Sequence, residues 1–374
     1  MTARDPSESP VPARDRSASP PSAPTPDGGA TRYVVRRWTR TSRLTMTAAC
    51  ALVIALALVP LALTTYATEQ LTELFILAIL AAMWNALAGY GGLISIGQQA
   101  FLGLGAYATI FLAQRGVPPY LAMALAAVIA GALALPISLL VLRLRGGQFA
   151  IGTWVVAEVL ALVIALDHDL GGGTGISLTG LNVYTPDDRQ AYTYWLTLGF
   201  VVVLLGLIFL VLRSPTGAAL QAIRDDEDAA ASLGVRVHTS KLLLFILASF
   251  GCAAAGALTV ANTLFIQPQS IFGVQWTAYM IFMVLVGGLG TFEGPLLGAL
   301  AFFAIQHWFA DLGAWYLIGL GATAIAFALL LPRGLWGWLE HRFHLRLFPL
   351  GYRLTARVDP PGARDDPEAS ATQK

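Results

Sequence analysis

Glu158 is the first side chain in this 374-residue sequence whose placement asks for chemistry, because it sits in the middle of an otherwise apolar run, 148–166. A carboxylate at the centre of a membrane-spanning helix costs on the order of 2.5–3.5 kcal/mol. It is therefore expected to face protein, a cavity or a partner, either as a functional group or as a hydrogen-bonded structural one. Ser95, Gln98 and Gln99 open a second run, 93–113, among Gly91, Gly92, Gly97, Gly103 and Gly105. Polar groups beside broken backbone suit the passage of a zwitterion. Glycines at such spacing also suit close helix packing, which is the plainer role.

A further glycine run, Gly287-Gly288-Leu289-Gly290-Thr291-Phe292-Glu293-Gly294-Pro295, echoes Gly91-Gly92-Leu93-Ile94-Ser95. A third, Gly171 to Gly175, follows Asp167, His168 and Asp169 in a loop over 167–192. No Lys completes a phosphate-binding G-x-x-x-x-G-K-[ST] pattern there, so a flexible hinge is expected ahead of a ligand contact. H-E-x-x-H and G-x-S-x-G are also missing, and the only lysines are Lys241 and Lys374. His307 has no metal-binding constellation around it and reads as a core hydrogen-bonder. Cys50 and Cys252 lie in apolar runs and read as small hydrophobes, with no disulfide framework. The chain carries no means of hydrolysing ATP and is not expected to be an enzyme.

The elements that position these residues follow from composition. Hydrophobic residues make up 56% of the chain and charged ones only 12%, with a mean hydropathy of +0.66. Soluble domains carry roughly 25% charged residues, so a polytopic membrane protein is expected and a soluble enzyme is excluded. The net charge of +1 gives no basic body for nucleic acid. About 20 apolar residues cross the hydrocarbon. Ten all-α spans are expected, at 46–66, 71–89, 93–113, 120–142, 148–166, 193–212, 242–262, 276–290, 294–310 and 314–332. The third, eighth and ninth are short or Gly-interrupted, and read as candidates for broken or re-entrant helices.

With the N-terminus inside, ten crossings leave 21 of the 23 Lys and Arg residues on the cytoplasmic side, all but Arg115 and Arg189. Basic residues favour that side, so both termini are expected to be cytoplasmic. Trp195, Trp276, Trp308 and Trp315 then fall at the outer ends as interfacial aromatics. Residues 1–45 read as a disordered Pro/Ser-rich stretch followed by a basic tail, 46–335 as the transmembrane domain, and 336–374 as a C-terminal tail disordered from about 354.

The inner loop 213–241 is the most informative. Gly217 to Gly234 reads GAALQAIRDDEDAAASLG, rich in helix formers, with Gly234 as the stop. One helix of about 24 Å is expected. Leu220, Ile223, Ala230 and Leu233 would make a thin apolar stripe, beside Arg224, Asp225, Asp226, Glu227 and Asp228. The pattern fits a solvated surface helix and a helix docked into a groove on a cytoplasmic partner about equally.

Four segments, in this order, carry a resemblance: WNALAGYGGLISIGQQAFLGLGAYAT (84–109), LRLRGGQFAIGTWVVAEV (142–159), GAALQAIRDDEDAAASLGV (217–235) and VLVGGLGTFEGPLLGA (284–299). The chain resembles the permease subunits of bacterial ABC importers for branched-chain amino acids, in particular the LivM type, over roughly 45–335. Gln98 departs from the family, in which many members carry His. The resemblance implies a bacterial inner-membrane location, a sister permease subunit of the LivH type, two cytoplasmic ATPase subunits that hold ATP-Mg, and an extracytoplasmic solute-binding protein. No cofactor is implied on this chain. The resemblance makes 217–234 the coupling helix, with Leu220, Ile223, Arg224, Asp225, Asp226, Glu227, Ala230 and Gly234 engaged in ATPase coupling. Of these, Arg224, Asp225, Asp226 and Glu227 are the residues implied to face the ATPase. Ser95, Gln98, Gln99, Thr153 and Glu158 would line or support the path during alternating access. Gly97, Gly103, Gly105, Gly287, Gly288, Gly290 and Gly294 would serve close packing. Urea, amides or nucleosides are alternative cargoes, and an ion-coupled secondary transporter is an alternative class. The latter would want more than one carboxylate deep in the membrane.

Overall fold

The computed structural model describes residues 31–36, 40–309, 313–331, 333–343 and 353–358; the expectations for 1–30 and 359–374 lie outside these. The chain divides into two units, Trp38–Gly351 and a second formed from the stretches around the two termini. In the second unit, strand β1 (Thr31–Arg36) pairs antiparallel with β4 (Arg353–Val358), Thr31 opposite Val358. The disorder expected from about 354 is thus corrected over 354–358, and the basic tail is a strand over 31–36.

The larger unit is a helix bundle. Its first span does not run unbroken over 46–66. Helix α1 (Arg40–Ala57) ends before the short α2 (Val59–Ala62), where Pro60 cannot donate a backbone hydrogen bond. The Leu56 and Ala57 carbonyls at that break accept from Tyr194 Oη (2.8 Å) and Trp195 Nε1 (2.9 Å). Helix α3 (Thr65–Asn85) starts at Thr64, whose hydroxyl caps Ala67, and widens into a π-turn over Ala86–Tyr90. Gly92, at φ +66°, then breaks the helix. The expected start at 93 is replaced by extended chain up to Gln98, and α4 spans Gln99–Gln114.

Helices α5 (Pro119–Val141) and α6 (Gly147–Leu166) follow, then α7 (Pro186–Arg213), capped by Thr185. Two short helices, α8 (Pro215–Asp225) and α9 (Glu227–Ser232), precede α10 (Val237–Thr263). Strand β2 (Ile176–Ser177) clips onto β3 (Phe265–Ile266), next to Leu264 in the left-handed region at φ 63°. The remaining helices are α11 (Pro268–Ile271), α12 (Gln275–Gly287), α13 (Gly294–Phe309), α14 (Ala314–Leu330) and α15 (Gly334–Phe343).

Among the described residues, seven helical stretches are long and apolar enough to cross a membrane, against ten expected. Thr47–Ala57 and Gly294–Phe309 are apolar but shorter. At 16 residues, α4 reaches about 24 Å, less than a bilayer's hydrocarbon core of about 30 Å.

Burial divides the helices sharply. The most apolar stretches of α3 and α10 are each 78% buried, whereas that of α6 is 22% buried. Small residues make the centre possible. Gly251 to Ala257 of α10 lie against α4 so closely that a methyl on Gly105 would strike the Ala253 carbonyl, and one on Gly256 the Leu102 carbonyl. Without a hydrophobic drive between helices in lipid, such backbone approach supplies the packing energy. Cys252 is buried in this seam, whereas Cys50 is exposed on α1.

Candidate functional site

The first polar region lies where the chain unwinds between α3 and α4. Trp84 Nε1 donates to the Ser95 carbonyl (2.9 Å), and the Ile96 amide donates to Thr153 Oγ1 (3.2 Å) on α6. These two bonds pin the unwound segment, whose Leu93 amide still reaches the Leu87 carbonyl (3.0 Å) of the π-turn. The Ser95 hydroxyl accepts from the Gly97 amide (3.2 Å) and from Gln98 Nε2 (3.4 Å). Gln99 Oε1 accepts from the Thr277 hydroxyl on α12. Ser95, Gln98, Gln99 and Thr277 are fully buried, and Thr153 nearly so. Gly97 lets this segment touch α6, since a methyl there would strike the Thr153 backbone. Gly103 likewise admits the Phe272 ring.

Among the described residues, Gln98 Oε1, Gln99 Nε2, Tyr107 Oη and Ser249 Oγ meet no hydrogen-bond partner, nor do Tyr90 Oη in the π-turn and Tyr316 Oη. A buried polar atom left so costs about 1–3 kcal/mol. The two glutamines, consecutive in the chain, thus hold one free acceptor and one free donor.

Glu158 is not part of this cluster. Its side chain is exposed on another face of α6 from the one that meets the cluster. There it accepts from the indole of Trp154 (3.0 Å), one turn back. Thr153 lies on the buried seam of α6 with Phe149 and Ala157, and Glu158 falls off that seam by helical spacing.

The second region is a junction at the end of α3. Asn85 Oδ1 accepts from the Gly290 amide (2.8 Å), and Asn85 Nδ2 donates to the Thr291 carbonyl (2.8 Å). Arg224 Nη1 donates to the Gly89 carbonyl (2.9 Å) in the π-turn. The glycine run at 287–295 therefore meets Asn85 and the π-turn that follows α3, just ahead of the run it echoes in sequence. A methyl on Gly89 would clash with the Gly290 backbone. Gly288 and Gly290, at φ +131° and +74°, shape the loop. Gly287 and Gly294 pack backbone against backbone where α12 turns into α13.

Arg224 belongs to α8, and its Nε and Nη2 also bind Asp225 Oδ1. The single helix expected over 217–234 is corrected to two. Asp226 is extended (φ −157°, ψ 111°), and its carboxylate accepts from the Asp228 and Ala229 amides to start α9. An aspartate N-cap is worth about 1 kcal/mol, and acidic residues in the first turn add to it. The run of four carboxylates at 225–228 therefore favours a new helix start over a continued helix. Gly234, at φ +83°, ends α9.

Leu220, Ile223 and Ala230 are buried, but Leu233 is 83% exposed, so the expected stripe loses its last member. The four residues implied to face the ATPase also divide. Arg224 and Glu227 turn toward their own chain, the latter to Lys241 Nζ (2.6 Å), whose side chain is 9% exposed. Asp225 and Asp226 face outward. Arg145 approaches Asp228 (3.4 Å) and Glu227 (3.9 Å).

Asn85, Lys241 and Thr277 escaped the sequence reading. Asn85 carried a signal, as a lone amide within an apolar run and ahead of Gly89. Lys241 stood one residue before an expected span. Thr277 carried none. The glycines at 171–175 fold on themselves, with the Thr174 hydroxyl bonded to the Gly171 carbonyl (2.8 Å). Among the described residues, no group of His, Cys, Asp and Glu could hold a metal.

Apolar helices with bare outer faces, a buried polar cluster and a polar helix pair clamped to the core define a multi-pass membrane transport subunit. Residues 66–332 match the family described as the permease component of branched-chain amino acid transport systems, and the chain belongs to that family. It is 29% identical over 292 residues to the high-affinity branched-chain amino acid transport system permease protein LivM of Escherichia coli strain K12, covering 71% of this chain and 68% of that one. The autoinducer 2 import system permease protein LsrC of Klebsiella pneumoniae is 31% identical over 129 residues, 30% of this chain and 38% of that one. Among solved structures, a metal-chelate type ABC transporter in an inward-facing conformation is 15% identical, with a TM-score of 0.38 over 81% of this chain and all of that one.

Proposed function

We propose that this chain is a LivM-type permease subunit of an ATP-driven importer that moves branched-chain amino acids into a bacterial cell. In this reading it spans the inner membrane ten times with both termini cytoplasmic. It works beside a LivH-type sister permease, two ATPase subunits holding ATP-Mg, and an extracytoplasmic binding protein that delivers the solute. The observation that carries the reading is the junction. The exposed Asp225 and Asp226 sit on a helix pair whose Arg224 grips the π-turn of α3, the most buried helix together with α10. A push on α8 and α9 from a cytoplasmic partner reaches the core through that grip. Ser95, Gln98, Gln99 and Thr153 would support the path of the solute, with the free glutamine atoms meeting its ammonium and carboxylate groups. Two arrangements of the bundle, biased from opposite sides by binding-protein docking and by ATP, then give alternating access.

Radiolabelled leucine uptake tests it. Proteoliposomes would contain this subunit, its sister permease and both ATPases, with ATP sealed inside and the binding protein outside. Uptake is expected to need ATP and to collapse when Asp225 and Asp226 are both replaced by Arg. Uptake of urea without leucine would change the cargo. Uptake driven by an ion gradient alone would overturn the importer reading.

A further inference from the structure

The bare helices of this bundle are not alike. The exposed side chains of α14 include Trp315, Leu317, Ile318, Ile325, Leu329 and Leu330, a surface suited to lipid tails. Helix α6 exposes Ile151, Val155, Val159 and Leu162 as well, but among them, just past its midpoint, stands Glu158. Its single hydrogen bond among the described residues comes from Trp154 Nε1. A carboxylate accepts at two oxygens and about four lone-pair sites, so most of its capacity points away from the bundle. Hydrocarbon supplies no donor, and an intramembrane carboxylate facing outward requires one.

We infer that the Glu158 face of α6 is the seat of the second permease subunit, which presents a hydrogen-bond donor or cation to Glu158 within the membrane. This inference rests on the permease reading above and adds the surface and its partner chemistry. A second copy of this chain fits poorly. A two-fold contact centred on Glu158 would set carboxylate against carboxylate, whereas a sister chain of different sequence can supply the donor. The location also has a consequence for transport. Thr153, on the buried side of the same helix, bonds the segment that carries Gln98 and Gln99. Helix α6 is then a wall one helix thick between the partner and the polar cluster, and a shift of the partner bears directly on that cluster.

Photocrosslinking in the complete transporter tests this. Benzoylphenylalanine would replace Val155, Val159 or Leu162 on α6, with Ile325 and Leu329 on α14 as controls. The α6 positions are expected to crosslink the sister permease, and the α14 positions lipid only. Lipid adducts alone at all three α6 positions, or a crosslinked pair of this chain, would overturn the inference. A second measurement uses the tagged chain to pull down its partner. Glu158→Leu is expected to lower recovery of the sister permease about tenfold, the effect of losing one buried hydrogen bond, while Glu158→Gln retains most of it. If the face met lipid, leucine would leave recovery unchanged or raise it, which would also overturn the inference. Wild-type samples read the two ideas apart. Absence of ATPase subunits and of ATP-dependent uptake would overturn the permease reading, whereas normal uptake with only lipid adducts on α6 would overturn this inference alone.

Discussion

The two polar regions of the bundle are each built around buried amide side chains, and those amides are satisfied to different degrees. At the end of α3, both polar ends of Asn85 are bonded to the glycine loop and Arg224 bridges the π-turn to α8, while Tyr90 Oη in that turn meets no partner among the described residues. In the cluster between α3 and α4, Gln98 and Gln99 each keep one polar atom without a partner among the described residues. A saturated amide in a low-dielectric interior resists rearrangement, because every displaced bond must be broken at full cost. An unsaturated one holds that cost in reserve and gives it back to whatever supplies the missing partners. The contrast assigns stiffness to the junction and adaptability to the cluster. That division of labour suits a machine that transmits a push at one place and accommodates a solute at another.

The largest effect is expected where the junction has no room. Gly89→Val would drive a side chain into the Gly290 backbone and Asn85 Oδ1, and backbone cannot yield as a side-chain tip can. Overpacking costs about 1–3 kcal/mol or more. The variant is expected to lose most of its thermal stability in detergent and to assemble poorly, read by melting and by recovery of the complex. Asn85→Leu comes next. It leaves the Gly290 amide and the Thr291 carbonyl without their side-chain partners, at about 1–3 kcal/mol each at most, and a clear fall in melting temperature is expected. If either variant melted like the parent, the junction would not be the stiff element and the comparison would fail.

The sequence made these regions legible to different extents. Long apolar runs located α5 and α6 to within a residue or two, because a bilayer-length run of apolar residues has few alternatives to a helix. The two glycine runs could be seen to echo each other, but nothing in one dimension says that the second packs on Asn85 and Gly89, just ahead of the first. That meeting depends on Asn85, 205 residues from Gly290 in the chain. The acidic segment was read as one helix because propensity sums favour it over 218–233. A single capping carboxylate, Asp226, overrode the sum. Glu158 could be placed at mid-span but not on a face, because α6 is apolar nearly all round and its periodicity carries no direction.

A smaller effect is expected at the link itself. Arg224→Ala removes a charge-assisted bond to the Gly89 carbonyl while leaving Asp225 exposed to water. At a site where the guanidinium side chain is 39% exposed, the stability loss should be about 1 kcal/mol. Transport should suffer more than stability. ATP hydrolysis by the assembled complex is expected to continue while solute uptake falls, and Arg224→Lys should recover part of the uptake. Equal losses in both readouts would mean that Arg224 holds the fold together without carrying a push.

The smallest stability effect is expected in the cluster, and its sign sharpens the contrast. Gln98→Met keeps nearly the same length and volume, removes an unpartnered buried oxygen, and forfeits only a long 3.4 Å bond to Ser95. Replacing an unsatisfied polar group with an apolar one of like shape is close to neutral or stabilising, so the melting temperature should hold or rise slightly. Uptake should nonetheless drop if Gln98 meets the solute as proposed, because its acceptor is gone. Asn85→Leu and Gln98→Met are both exchanges of a buried amide for an apolar side chain. They are expected to move stability in different directions while both impairing transport. If Gln98→Met instead destabilised the protein as Asn85→Leu does, the cluster would be a structural network with partners of its own, and the solute path would have to be sought elsewhere in the bundle.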